Sequence, residues 1–110
     1  MAKISKEVHE RLVAALSAAQ RVYHHPEWVR WATAWQAGKN RHSGPAIEAA
    51  AIAGAEAEDQ VGRDYAACLS AFSATCAIAW ATVHPQQADV ALTACAVALK
   101  EAKEAEETLP

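Results

Sequence analysis

The stretch Pro26-Glu27-Trp28-Val29-Arg30-Trp31-Ala32-Thr33-Ala34-Trp35-Gln36-Ala37-Gly38 decides how this chain folds. At about 100° per residue, Trp28, Trp31 and Trp35 fall within one narrow stripe, so a single short helix carries most of the aromatic surface. Pro26 disfavours helical geometry at His25 and suits the first position of a new helix. Glu27 complements the helix dipole and Gly38 is a C-terminal stop, which predicts a helix over 26–37.

Ser5 is a good N-cap for a helix running to about Tyr23. Ile4, Val8, Leu12, Ala15, Ala19, Val22 and Tyr23 share its apolar face. Beyond Gly38 the residues Lys39-Asn40-Arg41-His42-Ser43-Gly44 read as a loop, with Ser43 or Gly44 capping the next helix and Pro45 entering it. From Pro45 to Val83 there is no proline. One straight helix over that stretch would be about 60 Å long, more than so small a domain can cover at both ends. The polar patch 56–64 is the natural break: Gly62 weakens the helix, and Asp59 or Asp64 can cap. Helices over 45–58 and 60–83 result, the second central. On it Tyr65, Leu69, Phe72, Cys76, Trp80 and Val83 form a large-residue face opposite the small face of Ala67, Ser70, Ala71, Ala74, Ile78 and Ala81. Pro85 opens a last helix, 85–107, whose middle is apolar all round. That predicts burial on both sides or an oligomer contact.

The chain has 110 residues, 53% hydrophobic, much of it alanine. It reads as one domain, 1–110: an all-α, single-domain bundle of four or five mostly antiparallel helices. A net charge of −3 argues against a nucleic-acid partner. Cys68 and Cys76 are about 12 Å apart in helical rise, too far for a disulfide, so reduced thiols in a cytoplasmic protein are expected. The polar start lacks a signal-peptide core, and no run approaches about 18 apolar residues, so no membrane partner is expected.

Several groups are candidates for function. The stripe of Trp28, Trp31 and Trp35, with Arg30 beside it, is either core or a hot spot for a partner or ligand; its spacing is that of a core. Lys39, Arg41 and His42 gather cationic groups before a helix N-terminus, where an anion or an acidic partner surface is favoured. The five histidines make no H-E-x-x-H or E-x-x-H spacing, no cysteine stands near one at ligand spacing, and no glycine-rich phosphate cradle occurs, so neither metal nor cofactor is expected. Catalysis would require scattered His and Glu side chains to converge within hydrogen-bond reach.

Trp31-Ala32-Thr33-Ala34-Trp35-Gln36-Ala37-Gly38-Lys39-Asn40-Arg41, followed by Pro45-Ala46-Ile47-Glu48-Ala49-Ala50, resembles a pattern in immunity proteins of bacterial polymorphic toxin systems and similar phage-associated alanine-rich helical proteins. Ala77-Ile78-Ala79-Trp80-Ala81-Thr82-Val83-His84 echoes it, and the resemblance covers about residues 28–99. It implies a protein that binds and neutralises a partner, and it carries over no catalytic residue. The expectation is therefore a non-enzymatic interaction protein, with a protein partner or a second copy docked through the 85–107 helix. The alternative is a small-molecule-binding bundle with a Trp- and Tyr-lined pocket beside Trp80 or Trp35.

Overall fold

The structure, a computed structural model, describes residues 4–107. Five α-helices and no strand occur among them: α1 (Lys6–Val22), α2 (Pro26–Gln36), α3 (Ser43–Ala57), α4 (Gly62–Val83) and α5 (Ala88–Glu107). They form an elongated all-α bundle of 46 × 23 × 22 Å. The longest helix, α4, packs against α1, α3 and α5; α1 also packs on α5, and α2 lies across α3 and α1.

The helix ends follow local chemistry. Ser5 caps α1 by accepting the Val8 N–H at 3.2 Å. His25 caps α2, its Nδ1 accepting from the Glu27 N–H at 3.3 Å, with Pro26 in the first turn. At the other end of α2, Gly38 takes φ +87°, a conformation that side chains resist. There the Lys39 N–H reaches the Ala34 carbonyl at 2.8 Å and the Gly38 N–H that of Trp35 at 3.0 Å, closing the helix with a Schellman motif.

Three details differ from the sequence expectation. Ser43 and Gly44 lie inside α3, which begins two residues early; His42 occupies the cap position without a side-chain bond. The break between α3 and α4 falls where expected, but neither Asp59 nor Asp64 caps. Val61 stands at that position without a side-chain bond, and Gly62 turns the chain with φ +61°. Pro85 lies in a turn rather than opening α5, which starts at Ala88; the Gln87 N–H donates to the His84 carbonyl at 3.0 Å.

The core reverses the usual division between bulk and spacer. On α4 it is the small face that is buried: Ala67, Ser70, Ala71, Ala74, Ile78 and Ala81 are all enclosed. On α5 the buried seam is Ala91, Cys95, Ala98, Ala102 and Ala105. Alanine seams let helix backbones approach closely. The Ser70 hydroxyl shows how closely, because it crosses from α4 to donate to the Ala98 carbonyl of α5 at 2.7 Å. Bulk comes instead from Leu12 and Leu16 of α1, the indoles of α2 and Ile78.

By length and composition α4 is long and apolar enough to cross a membrane, contrary to the expectation that no segment would be. Its alanines, together with Leu69, Phe72, Ile78 and Trp80, raise the apolar content of a stretch that has no long run of large residues. Slightly over half of that window, 56%, is buried inside the bundle.

Candidate functional site

The tryptophan stripe is core. Trp28, Trp31 and Trp35 are 0%, 7% and 2% exposed. Trp28 Nε1 donates to Thr75 Oγ1 at 2.9 Å, and the Thr75 hydroxyl in turn donates to the Ala71 carbonyl at 2.6 Å. Tyr23 meets the Trp28 ring edge-on at 5.2 Å, and Trp31 lies tilted 6.3 Å from it. Of the two readings of the stripe, the surface one therefore fails for the indoles. Arg30, on the outer side of α2, is exposed.

What the bundle leaves outside is the large-residue face of α4. Tyr65, Phe72 and Val83 are exposed, and Leu69, Cys76, Ala79 and Trp80 are half-buried. Tyr65, Leu69, Phe72, Cys76, Ala79 and Val83 follow one another at alternating steps of four and three residues. That is the seam a helix presents to a partner helix in a coiled coil. Beside it runs α3, with exposed Ile47 at one end. Two hollows open along the α3–α4 groove. One, of about 340 Å³, lies between Ile47, Ala50, Cys76, Trp80 and Val83 and has His84 on its rim. The other, of about 290 Å³, lies between Gly54, Tyr65, Leu69 and Phe72, with Glu58 on its rim. Gly54 has a packing reason here: a Cβ would stand 3.1 Å from the Phe72 ring, so its absence lets the ring lie over α3.

A second feature draws on the basic loop. Asn40 adopts φ +54° and turns the chain so that Arg41 folds back onto the end of α2. Arg41 Nε donates to the Trp35 carbonyl at 2.7 Å, and its guanidinium lies 4.0 Å above the Trp35 ring. His9 of α1 stacks on the same indole at 5.6 Å. An open cleft of about 530 Å³ adjoins this cluster, and Lys6 also lines it. Trp35 and Arg41 are thus brought together; Lys39 and His42 are exposed and do not line the cleft.

Titratable side chains do converge at one further place, which the sequence reading missed because its members come from two helices and the α1–α2 connection. Tyr23 Oη donates to Glu56 Oε2 at 2.9 Å, and His25 Nε2 stands 3.9 Å from the same oxygen. Cys68 shares this hollow. Its chemistry is the reverse of an activated site. Burial first, then the Glu56 and Asp64 carboxylates, push the Cys68 thiol up to about 11. Burial and the bond to Glu56 likewise drive the Tyr23 hydroxyl upward. Both groups are held protonated, whereas a nucleophile needs a lowered pKa.

Burial also raises Cys95 to about 11, against a small opposing effect of Arg11, and raises Cys76. An acid whose folded pKa is raised contributes stability below its unfolded value, and that contribution disappears as pH climbs through the folded value. The bundle should therefore lose stability between the ordinary thiol value of 9.0 and about 11. Urea midpoints at about pH 8 and about pH 10.5 measure the loss, and a Cys68→Ala/Cys95→Ala variant should show a smaller one.

Among the described residues no cluster of three or more His, Cys, Asp or Glu side chains could hold a metal ion. Comparison with protein-family models, with curated proteins and with solved structures finds no match to this chain.

Proposed function

We propose that this chain is a non-enzymatic binding protein whose working surface is the α3–α4 groove, and that the groove's first occupant is a second copy of the chain. The observation that supports it is the four-three seam on α4, on which Tyr65, Phe72 and Val83 are exposed and Leu69, Cys76 and Ala79 half-buried. Large apolar side chains at that spacing lose water only when another helix covers them. Three further points favour a second copy. The 22 residues of α4 give a strip about 33 Å long. Two helices wide, it would remove roughly 1,000–1,300 Å² from water across both copies, at the lower edge of what specific interfaces bury. The two ends of the groove also differ in chemistry, with the Glu58 carboxylate lining one and the His84 imidazole, a hydrogen-bond donor, lining the other. An antiparallel pair would place Glu58 of each copy near His84 of the other and oppose the two helix dipoles.

This places the contact on α3–α4 instead of the 85–107 helix. On α5 the exposed apolar residues are Val90, Val97 and Leu99. Val90 and Val97, seven residues apart, share one face, and Leu99 lies about 200° from Val97, so α5 exposes a shorter apolar stripe than α4. A binding role fits what the resemblance to immunity proteins implies, and a toxin-like partner could use the groove only in exchange for the second copy.

Sedimentation equilibrium should show a reversible dimer with a dissociation constant near the micromolar range, about 8 kcal/mol. Phe72→Glu should give a monomer that keeps its helical circular-dichroism spectrum but melts earlier, because Phe72 is 36% exposed and its ring also packs on α3 at Gly54. Val97→Glu should leave the dimer intact. A chain that stays monomeric at roughly 100 µM defeats the proposal, and a dimer lost in Val97→Glu but kept in Phe72→Glu returns the contact to α5.

A further inference from the structure

The cleft beside Trp35 inverts the character of the rest of the molecule. The chain carries a net charge of −3, yet every ionisable group lining this cleft is basic: Lys6, His9 and Arg41. Among the described residues, no carboxylate forms an ion pair with any of the three. Arg41 is held in place before any ligand arrives. Its Nε is bonded to the Trp35 carbonyl and its guanidinium is stacked on the Trp35 ring, which leaves the two terminal amino groups as donors. A clamped guanidinium loses less conformational freedom on binding than a mobile one, so more of its attraction for an anion survives as affinity. Lys6 is the first residue of α1, and the positive end of that helix dipole adds to the field at the same spot. Apart from Thr82 the remaining lining is apolar, with Ile4, Ala81 and Pro85 beside the Trp35 ring among its residues. The Thr82 hydroxyl is committed to the Ile78 carbonyl at 2.7 Å and supplies no donor.

We infer that this cleft binds a small organic anion. A carboxylate or phosphate group sits among Lys6, His9 and Arg41, and an apolar or flat body lies against Ile4 and Pro85. The volume of about 530 Å³ falls in the range of small-molecule sites. The site is independent of the α3–α4 groove, which shares none of its lining residues.

Phenyl phosphate and inorganic phosphate are the probes, titrated into the full chain and followed by two-dimensional nitrogen–proton NMR. Phenyl phosphate should shift the amides of residues 6–9, the Trp35 indole and the Arg41 Nε signal saturably, with inorganic phosphate weaker because it lacks the apolar body. Lys6→Gln and Arg41→Gln should each weaken phenyl phosphate binding by about tenfold, equivalent to about 1.4 kcal/mol. Lys6 is exposed, so its variant keeps the test valid should Arg41→Gln disturb the loop. Arg30→Gln, an exposed cation outside the cleft, should change nothing. No saturable shift by roughly 10 mM overturns the inference, as does equal weakening by Arg30→Gln, which would mean unspecific attraction to positive charge.

Discussion

Trp28→Ala should lower the unfolding free energy by about 3–5 kcal/mol, the range for deleting a large buried aromatic. Trp28 is fully enclosed and touches Tyr23 and Trp31. The rest of the core is mainly alanine, which has no long side chain with which to fill the space left behind. The cost should therefore fall at the upper end of that range. Trp28→Phe separates the ring from its hydrogen bond. Thr75 keeps its bond to the Ala71 carbonyl, so no donor is orphaned and the loss is of one buried bond plus some volume, about 2 kcal/mol. Trp31 provides the contrast. Its Nε1 is buried and has no acceptor among the described residues, a state that costs about 1–3 kcal/mol. Trp31→Phe should consequently be milder than Trp28→Phe, despite the equal change in size. Urea denaturation of the three variants decides the order, and equal costs for the two phenylalanine variants would mean that the Trp28–Thr75 bond contributes nothing.

The tryptophan stripe was legible because spacing at three and four residues, bounded by Pro26 and Gly38, allows one helix with one buried face. The break before α4 was legible too, since Gly62 is the one residue there able to take φ +61° without strain. The outward face of α4 was harder to place. Hydrophobicity alone puts Phe72, Trp80 and Leu69 inside and alanines outside, and the structure does the opposite. The reason is geometric: α4 has three neighbours, and only small side chains let three helices approach one axis. The bulk then needed to fill the core comes from α2, so the large residues of α4 are left over on the outside. The basic cleft was half visible. Arg41 and Trp35 were candidates for separate reasons, but His9 and Lys6, some thirty residues earlier, join them only through the packing of α1 on α2 and α4.

Which alanines face inward is the part that no periodicity could settle, and it carries the second large expected effect. Ala96 and Ala98 are chemically identical and two residues apart, yet Ala98 is completely buried and Ala96 exposed. Ala98→Leu pushes three extra carbons and a branch into the α4–α5 seam. Overpacking a tight contact costs about 1–3 kcal/mol. Here the wedge has a second consequence. Ser70 is fully buried, and its only hydrogen bond described crosses the same seam to the Ala98 carbonyl at 2.7 Å. Separating the helices leaves that hydroxyl without an acceptor, adding about 1–3 kcal/mol. The total should reach about 2–6 kcal/mol, comparable with losing Trp28, although the substitution adds apolar surface. Ala96→Leu should stay within about 0.5 kcal/mol, as exposed substitutions do. Adding Ser70→Ala to Ala98→Leu removes the orphaned hydroxyl, so the double variant should be more stable than Ala98→Leu alone. Thermal or urea unfolding of the four proteins tests the set. If Ala98→Leu costs no more than Ala96→Leu, the two helices are not in the close contact that the Ser70 bond requires.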